Sequence, residues 1–246
     1  MPKSFLTEAG LEVQAITTDE MREVDRVAIE ETGPNLYQMM ENAGRTLATL
    51  ALRELGEQRD QAHVVVLAGA GGNGGGGICA ARHLANRGLR VSLCLASPGS
   101  LGEVPAWQRR VFQGTSGQEV AIRDLEQGHY DLVLDALVGY SLRGAPRGST
   151  VELIRWANGQ GAPTLSLDVP SGVDSTTGQA PGDFVRARTT MTLARPKTGL
   201  VPRRTGRLLL ADIGIPAETY RRSGLAHASP FGDRYLVTLE AAGDES

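Results

Sequence analysis

The sequence predicts an α/β protein built on a mostly parallel sheet with helices on both faces. Short apolar runs suited to buried strands alternate with stretches of helical periodicity along most of the 246 residues. A glycine-rich stretch, 68–77, lies between an apolar run at 63–67 and a helical pattern at 78–87. Two later apolar runs lead directly into acidic residues, Asp135 and Asp168. Strand, glycine turn and helix in this order are typical of an open α/β sheet with a ligand site at its edge.

The overall composition is that of a globular protein. Apolar residues make up 41% of the chain, and a formal net charge of −3 gives no reason to expect nucleic acid or an anionic membrane surface as a partner. No apolar run approaches the ~20 residues of a membrane span, and residues 1–8 lack the apolar region of a signal peptide. We therefore expect a cytoplasmic protein.

The two cysteines, Cys79 and Cys94, lie within a predicted helix and a predicted strand. Cysteines inside regular elements are more readily explained as reduced core thiols than as a disulfide or a metal site. We expect both thiols to be free.

The first elements are two helices. Residues 1–16 are interpreted as a loose arm, after which Thr17 and Glu20 form a capping box that begins a helix ending at Gly33-Pro34. A second helix is predicted over 36–55. Gly44 inside it costs about 1 kcal/mol relative to alanine, which suggests close packing at that point.

From residue 62 onward, strands and helices alternate. The predicted elements are strands at 64–67 and 91–95, a helix through Pro105, a possible short strand near 120–122, a strand at 132–137, a helix at 150–157, and strands at 164–168, 190–194 and 207–213. No linker is long enough to divide the chain, so we predict one domain over 17–222, flanked by the arm at 1–16 and a less patterned, mobile tail at 223–246.

The glycine-rich stretch is a candidate phosphate site. Glycines leave backbone N–H groups uncovered by Cβ atoms, and a helix N-terminus adds partial positive charge. The spacing Gly69-x-Gly71-x-x-Gly74 fits the dinucleotide fingerprint, which alone is a weak signal. A flexible loop without a ligand is the alternative. No carboxylate follows the strand at 91–95 to hold a ribose, which disfavours an NAD-dependent oxidoreductase.

Polar side chains after two strands suggest a site at the same edge of the sheet. Asp135 and Asp168 each end an apolar run, where a partly desolvated carboxylate can act as a general acid or base. Asp135 could equally cap the turn that follows it. Asp168 precedes a rigid turn that would aim its side chain and the Ser171 hydroxyl together. Oxygens of Asn73, Asp135 and Ser171 suit a hard cation, although Asn73 could instead be a turn residue with positive φ.

Five segments of the chain form a recognisable set. They are Thr18–Asp25 with Met40–Gly44, the glycine-rich stretch, Asp135–Gly139, Leu167–Asp174, and Lys197–Leu200 with Asp212–Pro216. Together they resemble the NAD(P)H-hydrate epimerases, the domain known as the YjeF N-terminal domain. They occur in that family's order and spacing and span roughly residues 17–216.

The resemblance implies a Rossmann-like three-layer αβα sandwich that forms a homodimer. It implies an isomerase of nicotinamide cofactor repair, which interconverts the R and S epimers of hydrated NADH and NADPH so that a separate hydrate dehydratase can act on the S form. It also implies one potassium ion per subunit.

Site residues follow from the same resemblance. Asp168 would be the catalytic acid/base, and potassium would be held by Asn73, Asp135 and Ser171. The substrate-binding residues would be Gly72, Asn73, Gly74, Gly75, Gly76, Gly139, Tyr140, Ser141, Leu142, Arg143 and Asp168.

The chain departs from the family pattern at the glycine-rich stretch. Gly72 and Gly76 stand where the family has asparagine and aspartate, and Tyr140 and Ser141 stand where it favours small residues or threonine. These replacements keep open a second hypothesis, a non-catalytic nucleotide-binding or scaffolding domain of the same type.

Overall fold

The structure is a computed structural model that describes residues 4–242, and it confirms the predicted α/β class. A ten-stranded sheet has the order β2-β1-β10-β9-β8-β7-β6-β3-β4-β5. The strands are β1 (Ser4–Thr7), β2 (Glu12–Gln14), β3 (His63–Ala68), β4 (Arg90–Leu95), β5 (Gln118–Glu119), β6 (Leu132–Ala136), β7 (Thr164–Leu167), β8 (Thr189–Leu193), β9 (Arg207–Ala211) and β10 (Leu236–Ala241). The helices are α1 (Thr18–Val27), α2 (Leu36–Leu55), α3 (Gly72–Ala85), α4 (Glu103–Phe112), α5 (Ser149–Gly159), α6 (Pro202–Thr205) and α7 (Ala217–Arg222).

The sheet is mostly parallel, as predicted. Every adjacent pair from β9 across to β5 is parallel, whereas the pairs involving β1, β2 and β10 are antiparallel. The chain proceeds from β3 to β4 and β5 on one side, and from β6 through β9 on the other. The strand order therefore switches between β3 and β6, the place where open α/β sheets bind ligands.

Alternate residues of the central strand pack against two different layers. Val64 and Val66 belong to a cluster formed with α1, α2, α3 and α4. Val65 and Leu67 belong to a second cluster, which includes Leu153 of α5. Because successive side chains of a strand point to opposite faces, this pattern places helices on both sides and gives the three layers of the predicted sandwich. Among the described helices, none combines the length and apolar composition needed to cross a membrane.

The arm at 1–16 was wrongly expected to be loose, and the tail at 223–246 contains a strand that we did not predict; residues 1–3 and 243–246 of these segments lie outside the described residues. Residues 4–14 form a hairpin of β1 and β2, and β1 pairs with β10, so both described ends extend the sheet. Phe5 and Val13 point inward from these strands and pack with Leu208 and Val237. Strands of three and four residues offer too little alternation to be recognised from sequence. The division of the chain at residues 16 and 222 stays a prediction.

The glycine-rich stretch is mostly helix rather than loop. We expected the helix to begin after Gly77, but α3 begins at Gly72, and Gly71 is its N-cap. Glycine is a poor helix former, so the helix at these positions is stabilised by tertiary packing rather than by intrinsic propensity. The neighbouring strands lie too close to leave room for side chains. A Cβ on Gly77 would overlap Ala136 of β6.

The two N-terminal helices follow their sequence signals closely. The capping box of Thr17 and Glu20 is present, and α2 has the predicted bounds. A π-helical turn at Ala28–Thr32 continues α1. A Cβ on Gly44 would overlap Cys79 of α3, which confirms the predicted close packing. The short strand expected near 120–122 lies two residues earlier, as β5.

Candidate active site

One crevice lies at the carboxyl ends of β3, β6 and β7, beside the switch in strand order. Its volume is about 360 Å³. One side of it is formed by apolar residues of α1 and α2, and the other by the loops that follow the strands. Its walls are Met21, Asp25, Ile29, Leu36, Met39, Met40, Gly72, Asn73, Gly139, Tyr140, Ser141, Asp168, Leu193, Lys197 and Ile213.

The N-terminus of α3 forms one end of the crevice. Gly71 caps this helix without a side-chain hydrogen bond, and its first turn carries no acidic residue. The first backbone N–H groups of a helix have no partner within the helix, and together with the helix dipole they attract phosphate. Gly72 and Asn73 line the crevice, whereas Gly74, Gly75 and Gly76 are buried within α3.

Asp168 lies at the floor of the crevice in a buried ion pair. Its Oδ1 accepts a hydrogen bond from Lys197 Nζ at 2.5 Å, and the two side chains are 4% and 1% exposed. Its Oδ2 accepts from the backbone N–H of Tyr140 at 2.9 Å. The backbone φ of Asp168 is +68°, a region that non-glycine residues rarely adopt and that clusters at functional sites. The turn after β7 thus aims this carboxylate into the crevice as predicted, but the Ser171 hydroxyl, which we expected beside it, is buried and bonds Asp135 instead.

Lys197 is a site residue that we did not predict. Its ammonium group also donates to the carbonyl oxygen of Leu193 at 2.9 Å, so it is held from two directions. Lys197 lies four residues after the end of β8, whereas Asp135 and Asp168 end their apolar runs directly. A search limited to the residue that ends each strand therefore misses it, and a search of the whole loop after each parallel strand would have included it.

A second unpredicted residue, Asp25, faces the crevice from α1. Its Oδ2 accepts a hydrogen bond from the Tyr140 hydroxyl at 2.5 Å. Burial raises the pKa of the Asp25 carboxyl above its ordinary value, and burial also raises the pKa of the Tyr140 phenol. Asp25 stands four residues after Met21, on the helix face that packs inward. An acidic residue on that face was the available signal.

Asp135 lies beneath the crevice and does not line it. It accepts hydrogen bonds from Ser171 Oγ at 2.6 Å, Ser166 Oγ at 2.8 Å and the Ser171 backbone N–H at 2.9 Å. Burial raises the pKa of this carboxyl. It also accepts from Leu137 N–H at 3.2 Å, so the turn-capping interpretation describes one of its contacts.

The oxygen-rich region around Asp135 has the chemistry of a cation site. Asp135 forms no ion pair with any side chain of the described residues 4–242. Ser171 Oγ accepts a hydrogen bond from Val138 N–H at 2.8 Å. Asn73 Oδ1 lies close to the next residue, Gly139, since a Cβ added to Gly139 would be 3.1 Å from this oxygen. Among residues 4–242 the Asn73 Nδ2 group has no hydrogen-bond partner, but this nitrogen is a donor and would not ligate a cation. The carboxylate, hydroxyl and amide oxygens of Asp135, Ser171 and Asn73 are of the kind that a hard cation prefers.

Only the first residues of the loop after β6 line the crevice. Gly139, Tyr140 and Ser141 line the wall, while Leu142 and Arg143 lie farther along the loop, outside the walls. Arg143 is exposed.

A separate polar cluster between α2 and α3 consists of Glu41, Cys79, Arg82 and His83. Three of these side chains could ligate a metal ion, but the Arg82 guanidinium lies among them and donates to Glu41 Oε2 at 2.6 Å. Burial raises the pKa of Cys79 to about 12, which keeps the thiol protonated. The guanidinium thus supplies the positive charge of this cluster. Both cysteines are free and buried, as predicted.

Comparisons with known proteins agree with the motifs. A family model described as YjeF-related protein N-terminus matches residues 36–199. A protein of Dehalogenimonas lykanthroporepellens, "NAD(P)H-hydrate epimerase", is 55% identical over 243 residues, covering 98% of this chain and 99% of that protein. A protein of Salinibacter ruber, "Bifunctional NAD(P)H-hydrate repair enzyme Nnr", is 38% identical over 221 residues. That match covers 82% of this chain but only 41% of the bifunctional protein.

A solved structure supports the fold independently. The crystal structure of yeast ynu0 superposes with a TM-score of 0.79 and covers 92% of this chain and all of that chain. At 20% identity, this similarity concerns the fold alone.

Proposed function

Since the chain belongs to the YjeF-related protein N-terminus family, we propose that it interconverts the R and S forms of hydrated NADH and NADPH. The protein is an isomerase of nicotinamide cofactor repair. The observation that supports this function best is the crevice itself, which combines an anion-binding helix N-terminus with a buried, ion-paired carboxylate. A dinucleotide needs the first for its pyrophosphate, and epimerisation needs the second at the reacting carbon.

The substrate would lie along the crevice from α3 to Asp168. Backbone N–H groups at Gly72 and Asn73 would bind the pyrophosphate. The apolar side chains of Met39 and Met40 would cover the hydrated nicotinamide ring and exclude water from it. Asp168 would then act as acid/base at the hydroxyl-bearing carbon, with Lys197 balancing its charge.

Potassium would be held by Asn73, Asp135 and Ser171. When bound, the ion would balance the buried negative charge of Asp135. Ser171 and Asp135 would keep the turn after β7 in place, and so would position Asp168 three residues before Ser171.

The hypothesis of a non-catalytic module is not favoured. The 55% identical relative that spans the whole chain carries the name of an epimerase, and the crevice retains Asp168 in a buried pair with Lys197. Gly72 and Gly76 alter one end of α3 but leave its N–H groups available. The homodimer, the coupling to a separate hydrate dehydratase and the cytoplasmic location stay predictions.

The test uses purified protein and R-form hydrated NADH. Appearance of the S form is followed by chromatography, with potassium and with lithium in its place. We expect conversion well above the spontaneous rate, faster in potassium, and a large loss in Asp168→Asn. Asp183→Asn changes a half-buried aspartate outside the crevice that pairs with Arg155, and it should keep full turnover. Bound substrate without conversion would contradict the proposed activity.

A further inference from the structure

Two carboxyl groups face the crevice in different surroundings. Asp168 is surrounded by donors, the nearest of which is the ammonium of Lys197. Among the described residues, the Asp25 side chain accepts a hydrogen bond only from the Tyr140 hydroxyl, and that bond occupies Oδ2. Burial raises the pKa of Asp25; the Tyr140 hydrogen bond and the charge of Lys197 oppose this, while the charge of Asp168 adds to it. Carboxyl groups whose surroundings differ in this way divide the roles of acid and base between them.

Tyr140 connects these two carboxyl groups. Its backbone N–H donates to Asp168 Oδ2 at 2.9 Å, and its hydroxyl donates to Asp25 Oδ2 at 2.5 Å. Asp25 lies on α1, which forms one side of the cavity, whereas Asp168 follows β7 on the other side. Two carboxyl groups on opposite sides of one cavity can act on opposite faces of a ring bound between them, as the paired carboxyl groups of inverting glycoside hydrolases do.

Building on the proposed epimerase function, we propose that Asp25 is the general acid and Asp168 the general base of the reaction, acting on opposite faces of the hydrated ring. Tyr140 is a positioning residue, which holds Oδ2 of Asp25 and leaves Oδ1 to face the substrate. Lys197 stabilises the carboxylate of Asp168. This assignment extends the sequence prediction, in which Asp168 was the one catalytic acid/base.

The proton balance of this reaction closes without a redox step. Asp25 gives its proton to the leaving hydroxyl, the carbon–oxygen bond breaks, and the ring nitrogen lends its electron pair to form a carbon–nitrogen double bond. A water molecule adds from the other face and gives a proton to Asp168, and the electron pair returns to nitrogen. One proton has then moved from Asp25 to Asp168, and solvent at the mouth of the crevice returns it. In the reverse direction the two groups exchange roles.

The test compares Asp25→Asn and Tyr140→Phe with the wild-type protein. Asp25→Asn keeps the shape of the side chain and should lower kcat about 10²- to 10⁴-fold, while Kd for R-form hydrated NADH stays nearly unchanged. Tyr140→Phe keeps the ring and removes only the hydroxyl. Tyr37→Phe is the matched control, because the Tyr37 hydroxyl bonds Glu103 outside the crevice walls.

The pH profile separates catalysis from a structural role. The groups that face Asp25 are Tyr140, Asp168, Lys197 and Tyr220. Wild-type kcat should fall as pH rises through the pKa of Asp25, because the acid must be protonated. This alkaline limb should be missing in Asp25→Asn. It should move to higher pH in Tyr140→Phe, since the hydroxyl that lowers the Asp25 pKa is gone.

The outcomes distinguish this proposal from the proposed function. A wild-type protein that does not convert the R form overturns both. A wild-type protein that converts it, with Asp25→Asn retaining full turnover or the same alkaline limb, overturns the role of Asp25 and leaves the epimerase function standing. If Asp25→Asn does not fold, the Tyr140→Phe variant decides instead. An alkaline fall in its kcat at the same pH as in the wild type overturns the proposal.

Discussion

Gly76 occupies a confined apolar space, and the aspartate that the family carries there should not fit. A Cβ on Gly76 would lie 2.8 Å from Leu167 Cδ2, and 3.8 Å from both Ala43 Cβ and Met40 Sδ. We therefore expect Gly76→Ala to destabilise the fold and Gly76→Asp to destabilise it more. The two variants separate the cost of volume from the cost of charge.

The change in the free energy of unfolding can be worked out from two opposing effects of alanine and one further cost of aspartate. Alanine at Gly76 gains roughly 0.5–1 kcal/mol in helix propensity and loses roughly 1–3 kcal/mol through overpacking against Leu167. The net loss in the free energy of unfolding should lie between about 0 and 2.5 kcal/mol. Aspartate adds the burial of a carboxylate among apolar atoms, which raises its pKa, and each pKa unit corresponds to about 1.36 kcal/mol. A raised pKa in the folded state costs stability as pH rises above the unfolded value of about 4.

Urea unfolding measures both variants. The difference between Gly76→Asp and Gly76→Ala should be small near pH 4 and should grow as pH rises to about 8. Gly159→Ala, at the end of α5, is the control, because its Cβ would meet no atom within 4 Å. If Gly76→Asp unfolds at the same urea concentration as Gly76→Ala at about pH 8, the space accommodates a charge and the reasoning is wrong.

Three further predictions concern the helix contact, the ion pair and the cation. Gly44→Ala should lower the free energy of unfolding by about 1–3 kcal/mol, measured in urea, because its Cβ would overlap Cys79; an unchanged midpoint would mean that the helices can separate freely. Lys197→Met should lower the free energy of unfolding by about 3–5 kcal/mol, because it leaves the buried Asp168 carboxylate without its cation; a variant as stable as wild type would contradict this. Potassium should raise the Tm more than lithium at equal ionic strength, and Asp135→Asn should remove the difference; equal Tm values in both salts for the wild type would exclude potassium from this region.

Elements with local signals were predicted well from the sequence. The bounds of α2 follow from its polar N-cap and from Gly56, and Thr17 with Glu20 fixes the start of α1. Ligand sites in open α/β sheets lie at the carboxyl ends of the strands, and this rule led us to Asp168, which does line the crevice. These signals depend on neighbouring residues only, so a single sequence contains them.

Features that depend on distant residues were missed. The bond from Tyr140 to Asp25 joins residues 115 positions apart, and Lys197 and Asp168 are 29 apart. Neither pair has a spacing rule that a sequence could reveal. The helical start at Gly72 was missed for a related reason, because glycine propensity opposes a helix and only the packed surfaces of Ala136 and Leu167 explain it.

The contact between α2 and α3 determines which parts of the crevice can move. Gly44 brings the helices so close that a single methyl group would overlap Cys79. Interlocked surfaces of this kind move as one rigid body. Met39 and Met40 on one helix and Asn73 on the other therefore keep a constant separation. Separation of α2 from α3 therefore cannot widen the crevice to admit a large ligand, and the wall that these two helices share stays fixed.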